Sequence, residues 1–483
     1  MGAQGAAEER PTLLANAISL GGDWVASIAN VAPTSTVAFT LALLVSFAGL
    51  ASPLAVVVAG IAMLMVAVGY ARLNNWKPHA GAPYIWVGEA VSPILGYATG
   101  ILAILAATVA NIGNITLAGT YLLGILNPGG SFANPLVWII SSAIMALVIY
   151  IAIRGIRPSI RVQTGIIAFE YTVVILFVIL ALKREIFDHA AGSSAPSLAA
   201  FSIGTSPTGM AGLLSAFVIC GFLYAGWEAP LVLGEESKEA HFNPGRAAIL
   251  GTLFLTVWYT FLIVVFQGVA SQKDIAAHGT DFLGYAGSLL LPDPWGRLLS
   301  LAVLSAVFAT TQMQLSESSR VTFAMARDRL LPYALSAIQR TYRTPWIAAL
   351  VLGVIPPLAL IPYLASSAAT TAIGYIISAD GLLYLLMYGI IAGACVWYYR
   401  RLLGKTTRDL FVSGVIPLVG GLINIGIFVY GVATQTAQVS LVTAVLVVLC
   451  AVAAVVARFA SNSPYFTQGR SVHDAESESQ KSA

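Results

Sequence analysis

Along most of this chain, runs of about twenty or more apolar residues follow one another, each bounded by glycine, proline or charge. In hydrocarbon a backbone satisfies its own hydrogen bonds only as a helix or as a closed barrel. The runs do not alternate and are too long for barrel strands. The folding problem therefore reduces to packing membrane helices. Of the 483 residues, 58% are hydrophobic and 9% charged, whereas a soluble globule carries about 25% charged residues. So little polarity cannot cover a water-facing surface. An ordinary soluble enzyme is excluded, and a disordered chain is excluded by the same figures. A net charge of +3 gives no reason to expect a nucleic-acid partner.

Twelve spans are predicted. The first six lie at 20–48, 53–75, 93–123, 135–154, 159–182 and 208–233. The second six lie at 243–269, 297–325, 346–364, 372–398, 411–433 and 437–460. The third and eighth exceed what a bilayer requires, which implies tilt or extension into the cytoplasm. With the N-terminus inside, twenty Lys and Arg fall on the cytoplasmic side and only Lys183, Arg184, Lys273 and Arg297 outside. That bias predicts a multi-pass protein of the inner (cytoplasmic) membrane with both termini cytoplasmic. Residues 1–19 and 461–483 read as cytoplasmic tails, the second one disordered. No cleavable leader is expected, because the first apolar run is too long and follows Glu8, Glu9 and Arg10. Cys220, Cys395 and Cys450 lie inside apolar runs and are expected as small buried hydrophobes rather than a disulfide framework.

Two spans carry helix breakers at mid-depth. The first contains Asn30-Val31-Ala32-Pro33-Thr34-Ser35-Thr36, the sixth Gly221 and Gly226-Trp227-Glu228-Ala229-Pro230. Proline removes a backbone donor and clashes with the preceding turn, and glycine permits non-helical dihedrals. Pro33 and Pro230 are 197 residues apart, each in the lead helix of a five-helix block, 20–182 and 208–398, with 411–460 as two further helices. Five is odd, so the second block is inverted relative to the first. An inverted repeat with interrupted lead helices is an alternating-access transporter design whose breaks point to the binding site. The plainer alternative, two prolines kinking ordinary helices, loses weight because they recur at matching positions. Helix N-termini at such breaks suit a carboxylate, and carbonyl ends suit an ammonium. Thr34, Ser35 and Thr36 offer hydroxyls there, although such hydroxyls often bond their own backbone. Trp227 is a candidate aromatic gate over the substrate.

Ionisable groups inside a membrane default to functional hypotheses. Glu170 in the fifth span and Glu228 at the sixth-span break are candidate proton carriers, and Glu228 alternatively receives a cationic substrate group. Glu317 and Arg320 share a face of the eighth span and are expected as a structural or gating ion pair. Asn111 and Asn114, with Thr310, Thr311, Gln312 and Gln314, either line a cavity or join helices. No histidine lies in a predicted span, and no metal cluster, Walker loop or HExxH occurs. No metal, no cofactor and no enzymatic activity are expected. Gly81-Ala82-Pro83 and Asn127-Pro128-Gly129-Gly130 read as turns.

In order and spacing, several segments resemble the amino acid–polyamine–organocation permeases. They are the first span, Lys77-Pro78-His79-Ala80-Gly81-Ala82-Pro83-Tyr84, and Gly226-Trp227-Glu228 with Gly234-Glu235-Glu236. Ser319-Arg320, Ala326-Arg327-Asp328-Arg329-Leu330-Leu331-Pro332 and Thr344-Pro345 complete the likeness, which runs from about 15 to 460. The resemblance implies a LeuT-type fold, with helices 1 and 6 binding the substrate and 3, 8 and 10 lining the path. It also implies amino acids, polyamines or related organic cations as substrates, carried by proton symport or exchange. Carried onto matching positions, the candidate substrate contacts are Ile28, Asn30, Val31, Ala32, Thr34, Ser35, Asn111, Cys220, Tyr224, Gly226, Trp227, Glu228 and Thr311. Many relatives hold the substrate carboxylate on a Gly-Ser-Gly-Ile-Gly-like stretch. Here it reads Ser27-Ile28-Ala29-Asn30-Val31-Ala32-Pro33, which leaves Asn30 and Thr34 to replace part of that grip. Some relatives place a lysine in helix 5; this fifth span has none and reads Ile167-Ala168-Phe169-Glu170-Tyr171. The expectation is an importer of an amino acid or related amine coupled to protons. Exchange, sodium coupling through Ser318 and Ser319, and a non-transporting scaffold or sensor are the alternatives.

Overall fold

The computed structural model describes residues 12–127, 134–362, 369–461 and 463–466. The tails up to 11 and from 467, the predicted turn at Pro128-Gly129-Gly130 and the end of the predicted span 346–364 lie outside the described residues. The chain is all-helical. In order come α1 (Leu20–Val31), α2 (Pro33–Ala48), α3 (Ser52–Trp76), α4 (Ala82–Ala90), α5 (Pro93–Leu126) and α6 (Asn134–Ile153). Then follow α7 (Ile156–Leu182), α8 (Met210–Leu223), α9 (Ala229–Val232), α10 (Asn243–Phe266), α11 (Gln272–His278) and α12 (Phe282–Leu290). The last are α13 (Arg297–Arg327), α14 (Trp346–Ala359), α15 (Ala369–Tyr399), α16 (Thr407–Asp409), α17 (Ile416–Thr434) and α18 (Ala437–Ala460). Among the described residues, nine helical stretches are long and apolar enough to cross a membrane. One of them, Leu20–Trp76, covers 57 residues, which at 1.5 Å per residue is about 85 Å of helix and room for two crossings. The chain is a multi-pass integral membrane protein.

The interruptions follow from local chemistry. Ser19 opens α1 by accepting the Gly22 N–H at 3.3 Å. A residue before proline is driven out of the right-handed helical region, and Ala32, just before Pro33, sits at φ 47°, ψ 72°. Its N–H still closes α1 on the Ile28 carbonyl at 2.9 Å. Pro33 then starts α2, where a missing N–H costs nothing. Between α8 and α9 the chain turns through Tyr224–Glu228, with Gly226 at φ 106° and Pro230 in the first turn of α9. Two sequence expectations need adjusting, and one element is new. Gly81-Ala82-Pro83 opens α4 instead of forming a free turn, because Pro83 occupies the tolerant first turn. The predicted ninth helix ends at Ala359, after Pro356 and Pro357 have removed two successive donors. The linker after α10 carries the short helices α11 and α12.

α1, α2, α8 and α9 lie at the centre, packed by α3, α10, α13 and α15. α13 is buried without a gap from Ala309 to Ala326, although this stretch includes Gln312, Gln314, Glu317 and Arg320. Polar groups are therefore placed inside, and apolar ones outside. Leu441, Val445, Val448, Val452 and Val455 form one exposed face of α18, spaced as a helix surface facing hydrocarbon requires. The three cysteines are buried and unbridged. Among the described residues, β pairing is limited to a bridge between Ile18 and Ser237.

α8 and α15 cross at glycines. A Cβ on Gly221 would stand 2.5 Å from the Gly381 carbonyl oxygen, which is backbone and cannot yield. Gly221→Val is expected to cost about 1–3 kcal/mol by overpacking, read as a lower melting temperature in detergent. Gly393→Ala on α15 meets nothing within 4 Å and should leave melting unchanged or raise it slightly.

Candidate functional site

The two interruptions touch. The Asn30 side-chain Nδ2 donates to the Gly226 carbonyl at 3.0 Å and to Glu317 Oε2 at 2.7 Å. The Thr310 hydroxyl donates to the Asn30 carbonyl, and the Ser27 hydroxyl donates to the Trp227 carbonyl at 2.9 Å. A carbonyl released where a helix stops needs a donor once water is gone, and side chains from the opposite break and from α13 supply them. Gly226 has a second reason to lack a side chain: a Cβ there would stand 2.8 Å from Asn30 Nδ2.

Glu228 folds back on its own turn. Its Oε2 accepts the Gly226 N–H at 3.2 Å and the Tyr388 hydroxyl at 2.7 Å, and Oε1 has no partner among the described residues. Trp227 is fully buried, its ring 4.9 Å from Tyr70 and 5.3 Å from Tyr388. Glu170 reaches from α7 to the start of α2 and accepts the Thr34 N–H at 3.2 Å. Asn30, Gly226, Trp227, Glu228 and Glu317 thus form one buried cluster, with Glu170 buried at the start of α2, closed to bulk water in this conformation.

Other predicted residues do something different. Ser35 donates to the Ala32 carbonyl at 3.0 Å and Thr311 to the Val307 carbonyl at 2.7 Å, so both hydroxyls bond their own backbone. Ser318 and Ser319 likewise donate to the carbonyls of Gln314 and Ser316. Tyr224 points its hydroxyl to the Val56 carbonyl of α3 at 3.0 Å. Ile28, Val31, Ala32 and Cys220 are buried apolar positions, and Asn111 is buried with its Oδ1 unpartnered among the described residues. The expected Glu317–Arg320 pair is corrected. Arg320 forms a two-pronged pair with Glu236 and also donates to the Ser316 carbonyl at 2.8 Å, whereas Glu317 takes Asn30. Sequence spacing shows that two groups share a helix face but not which neighbour covers that face.

Three contributors escaped the sequence reading. Asp380 on α15 is fully buried, and neither of its oxygens has a partner among the described residues. Tyr388, two turns further along, holds Glu228. Asp23 accepts from Ser237 at 2.7 Å beside the segment where Ala17 and Ile18 donate to the Glu236 carbonyl. An acid inside an apolar span was the signal available for Asp380 and Asp23.

Where α13 ends, a second layer closes the bundle. Arg327 grips Glu235 through two hydrogen bonds of 3.0 and 2.7 Å, and Glu235 also accepts the Ala80 N–H at 3.0 Å. His79 accepts the Gly81 N–H on Nδ1 at 2.9 Å and places Nε2 3.0 Å from Arg327 Nη2. Burial pushes His79 down to about 4, opposed by the Glu235 charge and helped by that of Arg327. Burial alone would raise Glu235, but the hydrogen bonds and charge of Arg327 outweigh it and hold the carboxyl below its usual range.

The sequence profile of the amino acid permeases matches residues 23–420. The chain belongs to the amino acid permease family. Among similar proteins, the serine/threonine exchanger SteT of Bacillus subtilis is 26% identical over 60% of this chain and 63% of its own length. The branched-chain amino acid permease BcaP of the same organism is 25% identical over 62% of this chain and 64% of its own. The low-affinity putrescine importer PlaP of Escherichia coli is 24% identical over 77% and 78%. The chain thus spans less than two thirds of the two Bacillus relatives. Among the described residues, no group of three or more His, Cys, Asp or Glu is placed to hold a metal ion.

Two measurements follow for this permease. Asn30→Ala leaves the Glu317 carboxylate and the Gly226 carbonyl without their donor, and should lower stability in detergent by about 1–3 kcal/mol. The His79 layer gives a pH dependence. Between its ordinary value and about 4, unfolded His79 holds a proton that the folded protein does not. Stability therefore falls as pH drops through that window, by up to about 3 kcal/mol. Glu235 contributes stability that is present above the ordinary carboxylate pKa and lost as pH falls below it. Melting followed from pH 7.5 to 4.5 should show the decline, and His79→Asn should flatten its upper part; a flat profile in the native protein contradicts it.

Proposed function

We propose that this chain is a secondary transporter that imports an amino acid or a related amine by alternating access, driven by proton symport. The observation that carries the reading is the Asn30 amide, which ties the interruption between α1 and α2 to that between α8 and α9 at 3.0 Å, buried in the centre of the bundle. Irregular backbone at membrane depth is tolerated where it lines a site, and two such segments in contact are the arrangement around which transporter repeats rock. In this reading α1 and α2 form one broken first helix and α8 with α9 a broken sixth. The chain then has twelve spans in a LeuT-type 5+5 inverted repeat with two further helices. Membership of the amino acid permease family supports the substrate class. The bias of Lys and Arg supports a cytoplasmic-membrane location with both termini inside.

The layer of Arg320–Glu236 and Arg327–Glu235 pairs is the inward gate in this scheme. Breaking it exposes the cluster to the cytoplasm. Glu228 is the better placed proton carrier, because one of its oxygens is free to take a proton whereas Glu170 caps the start of α2. Exchange is the second reading, favoured by the likeness to a serine/threonine exchanger. Sodium coupling is a third reading: the Ser318 and Ser319 hydroxyls donate to carbonyls of their own helix and keep their oxygen lone pairs.

Reconstituted into liposomes, the protein should take up label saturably and show counterflow, with accumulation driven by an acid-outside gradient. Glu228→Gln should lose the gradient dependence and lower uptake at least about tenfold. Obligatory counter-substrate without a pH effect would replace symport by exchange, and uptake of no solute would favour the scaffold or sensor reading.

A further inference from the structure

The start of α2 is already occupied by a carboxyl group. α2 is 16 residues long, and its first turn presents the positive end of the helix to the break, where a carboxylate would be held. Pro33 has no N–H to offer, and the Thr34 N–H donates at 3.2 Å to Glu170, which is buried. A substrate carboxylate docked there would lie against the Glu170 carboxylate in a medium drier than water, where like charges repel strongly.

The other side of the cluster lacks the opposite partner. Both oxygens of Asp380, Oε1 of Glu228 and Oδ1 of Asn30 are buried and have no hydrogen-bond donor among the described residues. Asp380 sits on α15 next to Gly381, whose backbone presses on α8. Buried acceptors without donors are costly. The buried cation of α13, Arg320, is spent on Glu236. Trp227 Nε1 also lacks a partner among the described residues, but one neutral donor does not offset three carboxyl oxygens. Around the acids stand the rings of Tyr70, Trp227, Tyr388 and Tyr384, with successive centroids 4.9, 5.3 and 5.7 Å apart. Aromatic faces attract cations, and an ammonium brings three donors with no acceptor.

We infer that the substrate is a primary amine without an α-carboxylate. Its ammonium is received by Asp380, Glu228 keeps its unpartnered oxygen for the proton, and Glu170 takes the place at α2 that a substrate carboxylate would need. The inference rests on the transport reading above and narrows its substrate class.

The test is uptake by the full chain in proteoliposomes, with empty liposomes as the control for passive amine entry. Labelled putrescine is compared with ornithine, and isoamylamine with leucine, at equal concentration. Each amine should enter at least about tenfold faster than its amino acid. Asp380→Asn should cut putrescine uptake about tenfold, and Glu170→Gln should raise the ratio of ornithine to putrescine uptake. Ornithine or leucine entering as fast as its amine overturns the inference and leaves transport standing. Full putrescine uptake by Asp380→Asn overturns the assignment of that anchor. Uptake of none of the four, with none of the other amino acids showing counterflow, overturns both readings. The ratio in the unmodified protein decides the substrate class without any variant having to fold.

Discussion

One side-chain amide holds the centre of this protein together. Asn30 donates to the Gly226 carbonyl and to the Glu317 carboxylate, and its own carbonyl takes the Thr310 hydroxyl. It does so because α1 must stop before Pro33, which leaves the polar end of a helix in a region without water. A free carbonyl there is costly, so the facing segments are shaped to answer it. Gly226 turns at φ 106° and lacks a Cβ where one would strike Asn30. α13 carries hydroxyls, amides and a carboxylate along a stretch that is buried on every side.

That polar interior is unbalanced in a consistent way. Around the breaks the ionisable groups are acids: Glu170, Glu228, Glu317 and Asp380. The cations lie one layer away, with Arg320 paired to Glu236 and Arg327 to Glu235. Taking an ion pair out of water is repaid only by good geometry, and both arginines meet their carboxylates with two prongs. The result is a central cluster that seeks positive charge, covered by a layer whose charges are already matched. In the proposed transport scheme this separates recognition from closure: the acids take the ligand, and the ion pairs open.

How much of this could be read from the residues depended on how local each cause was. The all-helical, multi-span architecture was legible, because twenty apolar residues in a row leave the backbone no other solution. Asn30, Glu228 and Glu170 stand out as polar groups in apolar runs; the structure joins Asn30 and Glu228 through Gly226 and sets Glu170 on the Thr34 N–H. The same criterion applied to Asp380, which was overlooked. Thr311 and Tyr224 belonged to the same candidate set, yet their hydroxyls are taken by nearby carbonyls. Glu317 and Arg320 lie three residues apart and still chose other partners, 287 and 84 residues away.

By itself the sequence determined that the chain lives in a membrane, that it is helical, and where its helices would be interrupted. Apolar length and proline geometry act over a few residues and need no partner. Only the tertiary structure decided which carboxylate meets the Thr34 N–H, which arginine closes the bundle, and which acids are left without a donor. Those choices join segments as far apart as Asn30 and Glu317. Such contacts come from packing whole helices, and no local spacing in the chain encodes them.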